Sequence, residues 1–162
     1  MNKAILTSLG FLFFHLFLAY YFELIDDEAY YNLWSSFLSF GYYDHPPMIA
    51  WWIYAGKLVF GEAAVGVRLF ACFAFFVVSI LVARITLLLG GRDQIFISVI
   101  LFNIMIPVMG LGFIATPDAP LILFWVGAFW ATLEGLFRKN SWYWLIVGFF
   151  VALAILSKFN AL

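Results

Sequence analysis

The sequence predicts an all-α protein embedded in a membrane, and three observations carry that reading. Of 162 residues, 67% are hydrophobic and 22% aromatic, while only 10% are charged; soluble domains run at about 25% charged and about 45–50% apolar. The apolar residues gather into runs near the length of about 20 residues that a membrane-spanning helix needs. The breaks between the later runs are short and polar: "GGRD", "TPDAP" and "RKNS". The formal net charge of −1 offers no electrostatic footprint for nucleic acid. The single cysteine, Cys72, lies inside an apolar run, where it reads as packing and excludes an intrachain disulfide.

Five spans are expected, at about residues 4–22, 63–89, 94–115, 119–137 and 142–162. The first follows Lys3 but exceeds a signal-peptide core, and no small-x-small cleavage site precedes Glu23, so it reads as an uncleaved span. The last 21 residues end apolar, without a polar tail, which suggests a piece of a longer protein. The segment "MIAWWIYAGKLVF" (48–60) is apolar but short, and Lys57 interrupts it. Lys and Arg favour the cytoplasmic side. If 48–60 does not cross, Lys3, Arg84, Arg92, Arg138 and Lys139 all lie inside, leaving Lys57, Arg68 and Lys158 at the outer face. It is therefore read as a surface helix within an outer loop, residues 23–62.

That loop holds an unusual concentration of acids. After Asp27, apolar residues recur at Tyr30, Leu33, Trp34, Phe37 and Leu38, with Asn32, Ser35, Ser36 and Ser39 opposite. This is the period of an amphipathic helix, and its Tyr and Trp content suits the interface plane. Gly41 should end it, and Pro46 and Pro47 should open the next helix. The topology then delivers Asp26, Asp27, Glu28, Asp44 and His45 to the outer surface, joined there by Asp118 and Lys158. Ionisable residues at membrane depth are costly and point to function. Plainer readings exist for each: helix capping for Asp26, Asp27 and Asp118, a turn for Asp44, snorkelling for Lys158. His15 reads as packed or lipid-facing, and Glu134 with Arg138 as a surface ion pair four residues apart. No HExxH zinc spacing and no phosphate-binding glycine loop is present.

Four motifs in order, "DEAYY" with "LW" two residues on, "GYYDHPPMIAWW", "ATPDAPLILFW" and "LSKFNAL", resemble the amino-terminal half of the GT-C membrane glycosyltransferases. The closest branch looks like the glycosyltransferase 39 and 83 grouping, relatives of protein mannosyltransferases and of the aminoarabinose transferase of lipid A. The resemblance implies a GT-C-type helix bundle with amphipathic interfacial helices in the first outer loop. It implies inverting transfer of a sugar from a polyprenyl-phosphate donor to a lipid or protein acceptor, at the outer face of a bacterial inner membrane. Asp27 and Glu28 match the catalytic acidic pair, with Asp26 an extra acid before it. Asp44 and His45 stand where that branch has an acid and a lysine near the lipid phosphate, the acid associated with a divalent metal. His45 in place of lysine departs from the aminoarabinose pattern. Lys158 joins this donor-phosphate region, with Asp118 and Tyr43 supporting. A hydroxyl acceptor needs a base, and a departing phosphate needs a nearby cation. The rival class is a non-catalytic transporter or lipid-carrier-binding protein, and a transporter should carry its acids near the bilayer midplane. Further spans and an outer carboxy-terminal domain follow in the family.

Overall fold

In a medium without water every backbone N–H and C=O must be paired within the segment, and helix does this. The computed structural model describes residues 1–161, and among these it contains eight α-helices, one short 3-10 turn and no strand. The helices are α1 (Asn2–Tyr21), α2 (Asp26–Ser35), α3 (Met48–Phe60), α4 (Ala64–Leu88), α5 (Ile95–Ile104), α6 (Ile106–Leu111), α7 (Asp118–Arg138) and α8 (Trp142–Ile155). Three of them, α1, α4 and α7, are long and apolar enough to cross a membrane. The all-helical membrane bundle expected from composition is therefore what forms.

The organising element is α4, which packs against α1, α3, α5 and α7, while α8 lies along α7 and α2 along α3. Small buried residues, Ala71, Ala74, Ser79 and Ala83, let its neighbours come close, as membrane helix contacts favour. The tightest approach is between α3 and α4, where Gly56 faces the backbone of Gly66 with no room for a side-chain carbon.

Three expected elements differ. The run 94–115 is divided into α5 and α6 at Met105, whose backbone is extended (φ −59°, ψ 132°). Pro107 causes the division: its ring would collide with the carbonyl of Asn103 and it has no N–H to return. It sits instead in the first turn of α6. The freed end of α5 is clipped from the side, since Asn103 Nδ2 donates to Ser79 Oγ (2.7 Å), and Ser79 is bonded to Ser8 (2.7 Å). The last helix ends at Ile155 rather than running on, with the chain turning at Leu156 and Ser157; residue 162, the end of that expected span, lies outside the described residues.

The third difference is in the loop. Helix α2 stops at Ser35, six residues before Gly41, and its buried stripe is Glu28, Tyr31, Trp34 and Ser35. Of the apolar positions read as one face of this interfacial helix, Trp34 is buried while Tyr30, Leu33 and Phe37 are exposed. The anchoring of Glu28, described next, sets which stripe packs on the protein. Residues 36–47 fold back through Tyr42, which stacks on Trp34 (centroids 4.4 Å) and hydrogen-bonds the carbonyls of Trp34 and Phe37. As expected, the prolines lead into α3, which begins directly after Pro47.

Candidate functional site

Glu28 occupies the third position of α2 and is wholly buried. A bare carboxylate there would cost several kcal/mol, and it is held by four donors. Arg68 Nε reaches Oε1 at 2.8 Å and Arg68 Nη2 reaches Oε2 at 2.5 Å, a bidentate pair. The N–H of Ala115 donates to Oε1 (2.8 Å) and that of Ile25 to Oε2 (3.2 Å). Arg68 is equally buried. Its remaining N–H groups donate to the carbonyls of Ala19, Phe22 and Glu23 at the end of α1, and its plane lies 5.3 Å from the Phe113 ring. One ion pair thus joins the end of α1, the start of α2, the start of α4 and the segment leading to α7.

Asp27, the neighbouring residue, turns away by the 100° helical step and is exposed. Its carboxylate, those of Asp118 and Asp44, and the phenol of Tyr31 share one neighbourhood. Burial raises the Tyr31 pKa above the ordinary tyrosine value, and the three carboxylates push it the same way. Asp118 opens α7 three residues after Ala115, and its Oδ1 accepts from Lys158 Nζ at 2.7 Å, both half-exposed. Lys158 lies just beyond the end of α8. Asp44 accepts from the Tyr30 hydroxyl at 2.8 Å; that bond, more than the charge itself, raises the Tyr30 pKa. His45 is half-buried against the edges of Tyr31 (5.9 Å) and Trp34 (6.5 Å), and its Nδ1 has no hydrogen-bond partner.

The sequence-predicted residues therefore separate into three kinds. Asp27, Asp44, Asp118, His45 and Lys158 come together around Tyr31 at the end of the bundle formed by the starts of α2, α3 and α7 and the end of α8. Met48 N–H, donating to the carbonyl of Leu156 at 3.1 Å, closes this end. Glu28 lies beneath it, buried. Tyr43 is 96% exposed and turned outward; its neighbour Tyr42 is the aromatic that packs. Arg68 was assigned no role from sequence, although an arginine near the start of an apolar run was a signal for a buried counter-charge. The other acid–base pair, Glu134 with Arg138, is not a surface pair on both sides. Glu134 is buried and bonded to Arg138, with Arg84 at 3.7 Å.

The residues present do not make a metal site on their own. Among the described residues no three His, Cys, Asp or Glu side chains gather as metal ligands, and the one carboxylate expected to serve, Asp44, already carries the Tyr30 hydrogen bond. No step below is routed through a metal.

A family model for dolichyl-phosphate-mannose-protein mannosyltransferases matches residues 44–162, which contain Asp44, His45, Arg68, Asp118 and Lys158 and begin after Asp27 and Glu28. No curated protein and no solved structure matches the chain. The match takes in well over half of the sequence, and of the charged residues gathered at this end of the bundle it leaves out the acids that open α2. The chain belongs to the dolichyl-phosphate-mannose-protein mannosyltransferase family, a family of membrane glycosyltransferases.

Proposed function

We propose that this protein moves a sugar from a polyprenyl-phosphate donor to a hydroxyl acceptor at the non-cytoplasmic face of a bacterial plasma membrane, with inversion. The observation that carries the reading is the gathering of charged groups from separate segments at the start of α2: Lys158 bonded to Asp118, Asp44 bonded to Tyr30 and His45 against Tyr31, one helical turn after Asp27. An acceptor hydroxyl is a poor nucleophile until a base takes its proton. Asp27, exposed like Asp26 and matching the leading acid of the family motif, takes that role, while Glu28 is consumed by Arg68 and fixes the start of α2. The acceptor oxygen attacks the anomeric carbon, and the bond from that carbon to the phosphate oxygen breaks. Lys158, steered by Asp118, and His45 stand ready for the negative charge that stays on the phosphate. Asp44, oriented by Tyr30, lies on the donor side.

Family membership favours this over a transporter or a lipid-carrier-binding protein. The acceptor is left between an envelope lipid and a protein, and the family's description favours protein. The test compares envelope glycolipids and glycoproteins by mass spectrometry in cells with the gene intact, deleted, or carrying Asp27→Asn. The expected result is loss of one sugar mass in both altered strains, with the variant protein still inserted and transfer lowered by at least about 100-fold. Normal transfer by Asp27→Asn would remove Asp27 from the role of base. The molecule that loses the sugar identifies the acceptor class.

A further inference from the structure

A second charged site lies on the same loop, away from the acids around Tyr31. Lys57, in the last turn of α3, is 10% exposed along its side chain. Its ammonium donates to Asn32 Oδ1 (3.0 Å), Ser35 Oγ (3.2 Å) and Glu62 Oε2 (2.8 Å). These three partners are unequal. Asn32 and Ser35 belong to α2, and Ser35 is buried and further tied to the Asn32 carbonyl (2.7 Å). Glu62 lies in the turn between α3 and α4, and its side chain is 77% exposed. The inner pair therefore fixes the ammonium in place, while the outer carboxylate sits on its solvent side. Only the Glu62 side of the Lys57–Glu62 pair is open to solvent, so Glu62 is the partner that another anion can replace.

The surroundings state which anion. A cavity of about 210 Å³ opens at this ammonium, lined by Ser35, Ser36, Tyr54, Lys57, Leu58 and Glu62. Its lining sets three hydroxyl-bearing residues, Ser35, Ser36 and Tyr54, beside one cation and the Glu62 carboxylate. Leu58 lines the cavity itself, and the same segments carry further exposed apolar side chains, Leu33 and Phe37 at α2 and Val59 and Phe60 on α3. A soluble anion has no use for that apolar surface, whereas a membrane lipid presents a phosphate and two acyl chains together. Amphipathic helices at the interface bind anionic lipid through this pairing of apolar area and positive charge. We infer that the Lys57 pocket seats the phosphate of an anionic membrane phospholipid, with Glu62 as the displaceable occupant. This site stands independently of the transfer reaction and of the residues assigned to it.

The test is native mass spectrometry of the protein in a neutral maltoside detergent, titrated with phosphatidylglycerol or with diacylglycerol of the same acyl chains. Wild type is expected to retain phosphatidylglycerol and not diacylglycerol. Lys57→Met should lower that retention about tenfold. Glu62→Gln, which removes the competing carboxylate and leaves the ammonium in place, should raise it several-fold. A merely structural Lys57 would predict no gain from Glu62→Gln, so a gain supports the site even where Lys57→Met folds poorly. Equal retention by wild type and Glu62→Gln, or retention of diacylglycerol equal to phosphatidylglycerol, overturns the proposal. Competition by glycerol 3-phosphate alone as strong as by the whole lipid overturns the commitment to a lipid.

Discussion

At the scale of single residues, the adjacent acids Asp27 and Glu28 have opposite fates. In the sequence they are a pair, and nothing in their identity ranks them. The helix separates them by 100°, and the fold then buries one against Arg68 and leaves the other exposed. What the sequence could not convey was the depth of Arg68. Its placement near the start of an apolar run was visible, but its partners lie 40 to 49 positions away in the chain. Removing one member of a buried pair leaves an uncompensated charge and costs about 3–5 kcal/mol. Glu28→Met and Arg68→Met should each lower the thermal midpoint in detergent sharply. The double variant should recover part of the loss, because two apolar side chains replace a matched pair. If the double variant is as damaged as the sum of the singles, the two charges do not act as a unit.

At the scale of elements, the runs of apolar residues announced the helices, but not where each stops. The break at Pro107 was not read, because its run is long enough to pass for one span, and only packing shows α5 clipped to α4 through Asn103 and Ser79. The end of α2 was misplaced because Gly41 looked like its terminator. Instead the tyrosine at 42 reaches back to the carbonyls of Trp34 and Phe37 and closes the helix earlier. The amphipathic period of α2 marked an apolar face, but period alone does not say which stripe has a buried partner, and the stripe that packs on the protein includes Glu28. The seam between α3 and α4 depends on Gly56, whose pro-side-chain position points into the Gly66 backbone. Gly56→Ala should force α3 off α4 and destabilise the protein by about 1–3 kcal/mol, an overpacking cost. An unchanged unfolding midpoint would mean that this seam relaxes freely.

At the scale of the whole molecule, composition alone specified a helical membrane bundle, and the order of the four motifs led to the family that residues 44–162 match. The site was legible as a set of residues and not as a geometry, because its members come from α2, the loop before α3, α7 and the end of α8. The proposed sidedness makes a global prediction. Single cysteines at positions 27, 44 and 118 should all react with a membrane-impermeant maleimide from the outside of intact cells. The native Cys72 is buried and should contribute no background. Labelling of any of the three only after the membrane is opened would invert the topology and the outward-facing reaction with it. The buried hub also constrains how the protein is made. Glu28 emerges during synthesis 40 residues before Arg68 and 87 before Ala115. While α1 is already in the bilayer, that carboxylate has no counter-charge, so it waits in water at the membrane surface. The loop that carries the proposed base can settle only once α4 has been threaded, and it is sealed only when the chain has reached the approach to α7. The order of translation thus makes the loop that carries the proposed base wait for helices made after it.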